Sequence, residues 1–133
     1  MGEKLFNVGI KGVITRKNKV LILKGAPGKD IWELPGGRID KNETIQETLL
    51  RELSEELTNI KNIIVQEVLD AYRVHKDIKD AVSLVLIFYR VEAEFDGKPT
   101  LSHEHVDYKW ATKKEALEIV EDSSKNSIKN AFS

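Results

Sequence analysis

The chain has 133 residues, of which 41% are hydrophobic and 32% are charged, as in an ordinary globular domain with a core of its own. The formal net charge is -1, so the charge balance does not favour nucleic acid or an anionic membrane as a partner. Cysteine is absent, which excludes disulfides, thiolate metal sites and thiol catalysis. The N-terminus lacks a signal-peptide pattern, and the longest apolar run, 82–89, is too short to span a bilayer. We therefore expect a cytoplasmic enzyme or binding module.

The first half of the chain is predicted to hold three strands and one helix: strands at 5–14, 20–23 and 31–34, and a helix at 44–58. A polar turn at 16–19 joins the first two strands. The loop at 25–30 contains the breakers Pro27 and Gly28, and the third strand ends at Pro35-Gly36-Gly37.

The second half is predicted to hold three more strands and a further helix: strands at 63–74, 81–95 and 106–110, and a helix at 113–120. Turns are expected at 77–80 and at 96–99, and the segment 123–133 is expected to be weakly helical or frayed. Strands on both sides of a central helix imply a mixed sheet covered by helices. We expect one α/β domain over residues 1–133.

The helix at 44–58 has a clear start and a clear inner face. Thr44 and Glu47 fit a capping box, in which each side chain accepts a hydrogen bond from the other residue's backbone. Five apolar residues fall on one broad stripe that should pack against the sheet: Ile45, Leu49, Leu50, Leu53 and Leu57.

Three carboxylates, Glu52, Glu55 and Glu56, share the neighbouring stripe because they stand at i, i+3 and i+4. On a helical wheel Glu56 lies nearest the apolar edge. We therefore predict that Glu56 is the most buried, Glu52 central and Glu55 outermost. Taken alone, such an acidic face is most often simply solvated, since Glu is a good helix former. The alternative is a site for a hard cation such as Mg²⁺ or Mn²⁺, shared with substrate phosphates.

Two further features flank this cluster. Arg51 either pairs with Glu47 in a surface bridge or orients a ligating carboxylate, with Glu43 two turns away able to join it. We favour the orienting role because the whole pattern is present. Gly36 and Gly37 are either a plain strand-to-loop turn or a close backbone approach to a ligand, in which case the Gly37 carbonyl could be a hard oxygen ligand.

Together these residues form a recognisable string: Gly37, five residues, Glu43, seven residues, and R-E-L-S-E-E at 51–56. The string resembles the box of the Nudix hydrolases, G-x5-E-x7-R-E-U-x-E-E-x-G-U, where U is a bulky apolar residue. The preceding W-E-L-P-G-G at 32–37 is also typical of that family. The resemblance implies an α/β/α sandwich with a curved mixed β-sheet. It also implies Mg²⁺-dependent cleavage, with Mn²⁺ as an alternative, of a nucleoside diphosphate linked to another group.

The resemblance also implies roles for individual residues. Glu52 and Glu56 would be principal metal ligands, and Glu55 a further ligand or the group that handles the attacking water. The metal would neutralise the diphosphate and lower the pKa of a bound water that attacks phosphorus in line. The general base differs between family members and often lies in a later loop. Here the candidate is Glu104, against the alternative of an exposed loop acid.

The histidines beside Glu104, His103 and His105, could indicate zinc, but two alternate histidines without cysteine are weak evidence. The string also departs from the family pattern after its last glutamate pair. Thr58 and Asn59 stand where the box has Gly and an apolar residue. Because Asn is the next best residue for a left-handed helix stop, we predict that Asn59 takes that conformation one position late. Ile60 would then supply the apolar contact.

The substrate is less well specified. The extra motifs of ADP-ribose, NADH and coenzyme A hydrolases are absent, and Tyr72 is not at the spacing usual for diadenosine polyphosphate hydrolases. We predict hydrolysis of a nucleoside triphosphate to monophosphate and pyrophosphate, with Phe6 and Tyr72 as candidates for stacking on the base. The alternatives are a dinucleoside polyphosphate or nucleotide-sugar hydrolase, and a catalytically silent nucleotide sensor, against which the intact glutamates argue. A monomer and a homodimer are both left open.

Overall fold

The structure, a computed structural model, describes residues 2–79 and 81–133, with backbone alone at Asp77 and Lys79. These residues form seven strands and three helices: β1 (Leu5–Arg16), β2 (Lys19–Gly25), β3 (Trp32–Glu33), β4 (Gly36–Arg38), α1 (Ile45–Glu56), β5 (Ile60–Lys79), β6 (Val82–Phe95), β7 (His105–Thr112), α2 (Lys113–Ile119) and α3 (Asp122–Ala131). Within the described chain, no helix has the length and apolar character needed to cross a membrane.

The strands form one mixed sheet built around β1. Five strands follow the order β3-β2-β1-β6-β5, while β4 pairs with β1 and β7 pairs with β2. The β1–β6 pairing is parallel, and the other pairings are antiparallel. The register between β5 and β6 shifts at several points along the pair, which bends the strands. The predicted curved mixed sheet is thus confirmed.

Strand alternation divides the core into two layers. Ile10 and Ile14 of β1 pack with Leu49 and Leu53 of α1 on one face. Val13, between them in sequence, packs in the cluster that α2 and α3 cover. Because successive side chains of a strand point to opposite faces, α1 lies on one side of the sheet and α2 with α3 on the other. This is the α/β/α sandwich that the family resemblance implied.

Helix α1 begins as its capping box requires. The Thr44 hydroxyl oxygen accepts from the Glu47 N–H at 3.2 Å, and the Glu47 carboxylate accepts from the Thr44 N–H at 2.9 Å. Leu49 and Leu53 are fully buried, whereas Ile45 in the first turn is 36% exposed. The predicted apolar stripe is therefore confirmed at Leu49, Leu53 and Leu57, whereas Leu50 is only half-buried.

The predicted helix stop is wrong. Leu57 is the C-cap of α1, with φ -123° and ψ 88°. The φ angle of Asn59 is not positive. The described non-glycine residues with positive φ are Lys17, Asn18, Asn62 and Ala81. Its side-chain amide instead donates to the carbonyls of Asp96 at 3.1 Å and Lys98 at 2.7 Å, and accepts from the Thr100 N–H at 2.8 Å. Asn59 therefore uses its side chain to hold a distant turn, and the backbone has no need of the left-handed conformation.

Three other local predictions differ from the structure. The segment Gly36–Arg38 is a strand, β4, although glycines weaken strands in general. Residues 122–131 form a complete helix, α3, with Ser127 and Ile128 fully buried, so they are not frayed. β5 continues to Lys79, beyond the start of the predicted turn at 77–80, and Asp80 lies outside the described residues.

Candidate active site

Three segments that are distant in sequence meet beside β4. The Gly36 N–H donates to Oε2 of Glu56, the last residue of α1, at 2.8 Å. His105, the first residue of β7, places Nε2 3.6 Å from Oε1 of the same carboxylate. The glycine segment, the acidic helix and the loop before β7 therefore converge on Glu56.

The three helix carboxylates differ in exposure in the predicted order. Glu56 is 3% exposed, the Glu52 side chain is 16% exposed and the Glu55 side chain is 52% exposed. A solvated acidic face would expose all three, so Glu56 is the member that needs a physical explanation.

Burial raises the pKa of Glu56 to about 7, against the opposing effects of Lys11, the Gly36 hydrogen bond and His105. A buried carboxylate resists ionisation because the charged form loses its hydration. A divalent cation beside Glu56 would favour the ionised form, as a nearby positive charge does for any carboxylate.

Gly37 lies directly against Glu52. A Cβ atom built at Gly37 would overlap the Glu52 carboxylate, so the helix carboxylate can approach the main chain only because this residue has no side chain. Gly37 pairs with Ile10 of β1, whereas its neighbour Arg38 pairs with Gly9. Because paired residues share a face and neighbours alternate, β4 turns Gly37 towards α1 and Arg38 towards the other side of the sheet.

Arg51 connects the acidic residues, as the orienting interpretation predicts. Its Nε and Nη2 atoms donate to the two oxygens of Glu43 at 2.6 and 2.8 Å. Its Nη1 donates to Glu52 at 2.8 Å and lies 3.5 Å from a Glu55 oxygen. The alternative partner, Glu47, serves in the helix cap instead. The hydrogen bonds from Arg51 are the largest cause of the low pKa of Glu43, about 2.

The loop before β7 adds one exposed acid and one buried histidine. Glu104 is exposed, yet Glu56, Glu104 and His105 each present one potential ligand atom within 4.8 Å of one another. His103 is exposed and does not belong to that group. From the sequence, His105 is considered only as a weak zinc candidate. Alternation along β7 groups His105 with the exposed Asp107 and Lys109, so the strand pattern gives no sign of its burial.

A cleft of about 570 Å³ lies on the side of the sheet opposite α1. Gly37 and Arg38 line its end nearest the carboxylates, and Tyr72, Leu84 and Leu86 provide an apolar wall. An apolar cleft that opens beside a set of acidic groups is the usual form of a small-molecule site.

Only one of the two aromatic candidates reaches this cleft. Tyr72 pairs with Leu86, and Leu86 pairs with Gly9, all on the cleft side of the sheet. Phe6 and Gly9 are three residues apart in β1, so Phe6 points to the face of the sheet opposite the cleft. There Arg73 lies 5.1 Å from the centre of the Phe6 ring. Phe6 does not line this cleft, so its position gives no support to the prediction that it binds substrate.

The residues around Glu56 fit a hard divalent cation by their chemistry. Glu52, Glu55 and Glu56 offer carboxylate oxygens from one helix, and Gly37, which lies against Glu52, has a backbone carbonyl to offer. Burial raises the pKa of Glu56 to about 7 although Lys11 and His105 act to lower it, so a further positive charge would favour its ionised form. The side chains and the main chain are thus suited to such an ion.

The chain belongs to the Nudix domain family, whose model matches residues 5–131. The family and its named diphosphatases identify this fold with its acidic helix as an enzyme that acts on phosphoric anhydride bonds. Nudix enzymes generally use a divalent metal and act on nucleotide derivatives.

Individual relatives agree with this placement. The 8-oxo-dGTP diphosphatase of Buchnera aphidicola subsp. Schizaphis graminum is 32% identical over 102 residues, covering 74% of this chain and 72% of the relative. The dihydroneopterin triphosphate diphosphatase of Haemophilus influenzae is 29% identical over 113 residues, covering 77% and 70%. The solution structure of the E. coli ORF135 protein matches with a TM-score of 0.81 at 22% identity, covering 99% of this chain and 92% of that one.

Proposed function

We propose that the protein hydrolyses a nucleoside triphosphate to the monophosphate and pyrophosphate, with Mg²⁺ as its ion. The observation that carries the proposal is the buried Glu56, on the same helix as Glu52 and Glu55 and within ligand distance of Glu104 and His105. Two relatives named above are diphosphatases of triphosphate substrates, which favours a triphosphate over the other nucleotide derivatives of the family.

Glu52, Glu56 and the Gly37 carbonyl would hold the ion, with Glu55 as a further ligand. When bound, the ion neutralises charge on the diphosphate and acidifies the attacking water. Arg51 fixes the orientation of Glu52 and Glu55 through its guanidinium group. A carboxylate held in place before the substrate arrives loses no further freedom in the reaction.

Two exposed carboxylates, Glu55 and Glu104, border Glu56 and are the candidates for taking the proton of the attacking water. Glu→Gln at each position separates them. The variant that replaces the base should lose the acidic limb of its pH profile of kcat. The other variant should keep that limb, with a changed value of kcat.

The nucleoside would lie in the cleft with its base against Tyr72. Tyr72 is half-buried and stands among apolar residues of β6, so one face of its ring is supported. Arg38 lies at the end of the same cleft nearest the carboxylates, where the phosphates would pass.

The proposal is tested with a panel of nucleotides and Mg²⁺, in which pyrophosphate and inorganic phosphate are measured separately. The panel contains nucleoside triphosphates, dinucleoside polyphosphates and nucleotide sugars. Pyrophosphate release from a triphosphate supports the proposal. Turnover of only the other two groups would move the enzyme to the alternative substrates, and binding without turnover of any compound would identify a sensor.

Glu56→Gln tests the ligand role. It should lower kcat by about 100-fold or more, while Glu118→Gln, at an exposed acid on α2, should not.

Without metal, Glu56→Gln should be at least as stable as the wild type at pH 8. The pKa of Glu56 is raised from 4.5 to about 7 on folding, so the ionised form opposes folding as pH rises through this range. A stable Gln variant with normal kcat would remove Glu56 from the site.

A further inference from the structure

Polar contacts run from the wall of the cleft to the buried end of α1. Lys11 Nζ donates to the Leu34 carbonyl at 3.2 Å and lies 3.6 Å from Glu33 Oε1. Glu33 Oε2 lies 3.2 Å from His105 Nε2, which in turn lies 3.6 Å from Glu56 Oε1. Because Lys11 and Glu33 also line the cleft, His105 is the link between the cleft wall and Glu56.

The surroundings of His105 define its tautomer. Its side chain is 3% exposed, and its Nδ1 has no hydrogen-bond partner among the described residues. A proton on Nδ1 would leave a buried donor unsatisfied and would turn the Nε2 lone pair towards two carboxylates. The proton therefore belongs on Nε2, where it is donated to Glu33 and its positive edge faces Glu56.

We propose that His105 is a positioning residue, anchored by Glu33, that fixes the carboxylate of Glu56. This role rests on the proposed function, in which Glu56 is a metal ligand. The 3.2 Å contact with Glu33 is the hydrogen bond, and the 3.6 Å approach to Glu56 is electrostatic. The other Glu56 oxygen accepts from the Gly36 N–H at 2.8 Å, so each oxygen faces a positive group. Partners of this kind orient a ligand and tune its affinity.

Two amide variants test the role without placing a charge or an apolar gap at the site. His105→Gln can place an amide N–H near the Nε2 position, whereas His105→Asn is too short to reach it. The Asn variant should bind Mn²⁺ about 10- to 100-fold more weakly and lose kcat by a similar factor. The Gln variant should stay within about threefold of the wild type in both quantities. The nucleotide KM should change little in either variant, because His105 does not line the cleft.

His103→Gln is the matched control, since His103 is an exposed residue of the same loop. It should change neither Mn²⁺ affinity nor kcat. Thermal unfolding of all three variants is measured alongside. A purely structural role for His105 would lower the Tm of the Asn and Gln variants together and would not separate them in Mn²⁺ affinity.

Glu33→Gln tests the anchor. It weakens the acceptor for the His105 N–H and should reduce Mn²⁺ affinity by itself. In the His105→Asn background its effect should be much smaller, because two changes that act through one contact are not additive. Full additivity would contradict the anchoring role.

Calorimetric titration with Mn²⁺ alone keeps this role separable from the proposed function. Weaker Mn²⁺ binding by His105→Asn, rescued by Gln, supports positioning even if the wild type cleaves no nucleotide of the panel. If the wild type is active and the Asn and Gln variants match each other in Mn²⁺ affinity and kcat, the role of His105 is overturned while the proposed function stands.

Discussion

Replacing Arg51 by lysine tests whether guanidinium geometry, beyond its charge, holds the acidic site together. Arg51 makes two hydrogen bonds to Glu43, at 2.6 and 2.8 Å, and one to Glu52 at 2.8 Å. A lysine ammonium is a point charge that cannot reproduce the planar fork, so it can keep one of these partners. The variant should therefore lose two charge-assisted hydrogen bonds.

The expected cost follows from the position of the side chain. A charge-assisted bond contributes about 1.5–3 kcal/mol when buried and about 0–1 kcal/mol at the surface. Arg51 is 34% exposed, so about 1 kcal/mol for each lost bond is appropriate. The total of about 2 kcal/mol corresponds to about 6–10 °C in Tm for a chain of this size. Because Glu52 also loses its orienting partner, kcat should fall about 10- to 100-fold.

Urea denaturation and steady-state kinetics at saturating Mg²⁺ measure the two effects. Arg73→Lys is the matched control, since the described contact of Arg73 is with the exposed Phe6 ring. A variant of Arg51 with normal stability and normal kcat would refute the reasoning. Glu43→Gln and Glu47→Gln then distinguish the two interpretations of Arg51. The first should destabilise the protein, whereas the second keeps the acceptor that the helix cap needs.

Three further outcomes are expected. Gly37→Ala should lower kcat about 100-fold or more, because its Cβ displaces the Glu52 carboxylate; normal kcat would contradict the close approach. Tyr72→Ala should raise the nucleotide KM about fivefold or more by loss of base stacking, while Phe6→Ala, on the other face, should leave KM unchanged. Glu115→Gln should destabilise the protein at pH 7 in urea denaturation. The Glu115 pKa falls from 4.5 to about 2 on folding, because the Thr112 N–H donates to it and because the Lys109 ammonium, 3.1 Å away, pairs with its charged form. The difference in unfolding free energy between the variant and the wild type should therefore shrink as pH drops through that range. A difference that is independent of pH would contradict this linkage.

The helix that carries the chemistry could be predicted from the sequence because its determinants are local. The capping box of Thr44 and Glu47 spans one turn, and the order of exposure of the three glutamates follows from about 100° of rotation per residue. Nothing beyond α1 and the sheet it packs on is needed to place these side chains. The same local rules failed at Asn59, because its amide is engaged by the turn at 96–100, which no helix-stop rule considers.

The remaining parts of the site depend on contacts that are distant in sequence. β4 exists because its two glycines allow it to lie against β1: a Cβ at Gly36 would overlap the Ile10 carbonyl. From the sequence alone, Pro35-Gly36-Gly37 is predicted to end the preceding strand. His105 has partners 72 residues away, at Glu33, and in α1, at Glu56. Alternation along β7 could not reveal its burial, because it groups His105 with the exposed Asp107 and Lys109. The register between β2 and β7 also shifts between Lys24 and Gly25, beside His105.

The position of Glu56 on its helix separates a metal site from an ordinary acidic surface. Leu49, Leu53 and Glu56 stand at i, i+4 and i+7, so Glu56 occupies a place on the inner face that a leucine could fill. Raising the pKa of a carboxylate from 4.5 to about 7 costs about 3 kcal/mol where it is ionised. A surface acid such as Glu55 carries no comparable cost and would look the same in a protein without activity. This cost remains after the Gly36 and His105 donors have lowered the Glu56 pKa, and a bound cation would offset it. A stability cost at an active site is the usual relation between stability and function.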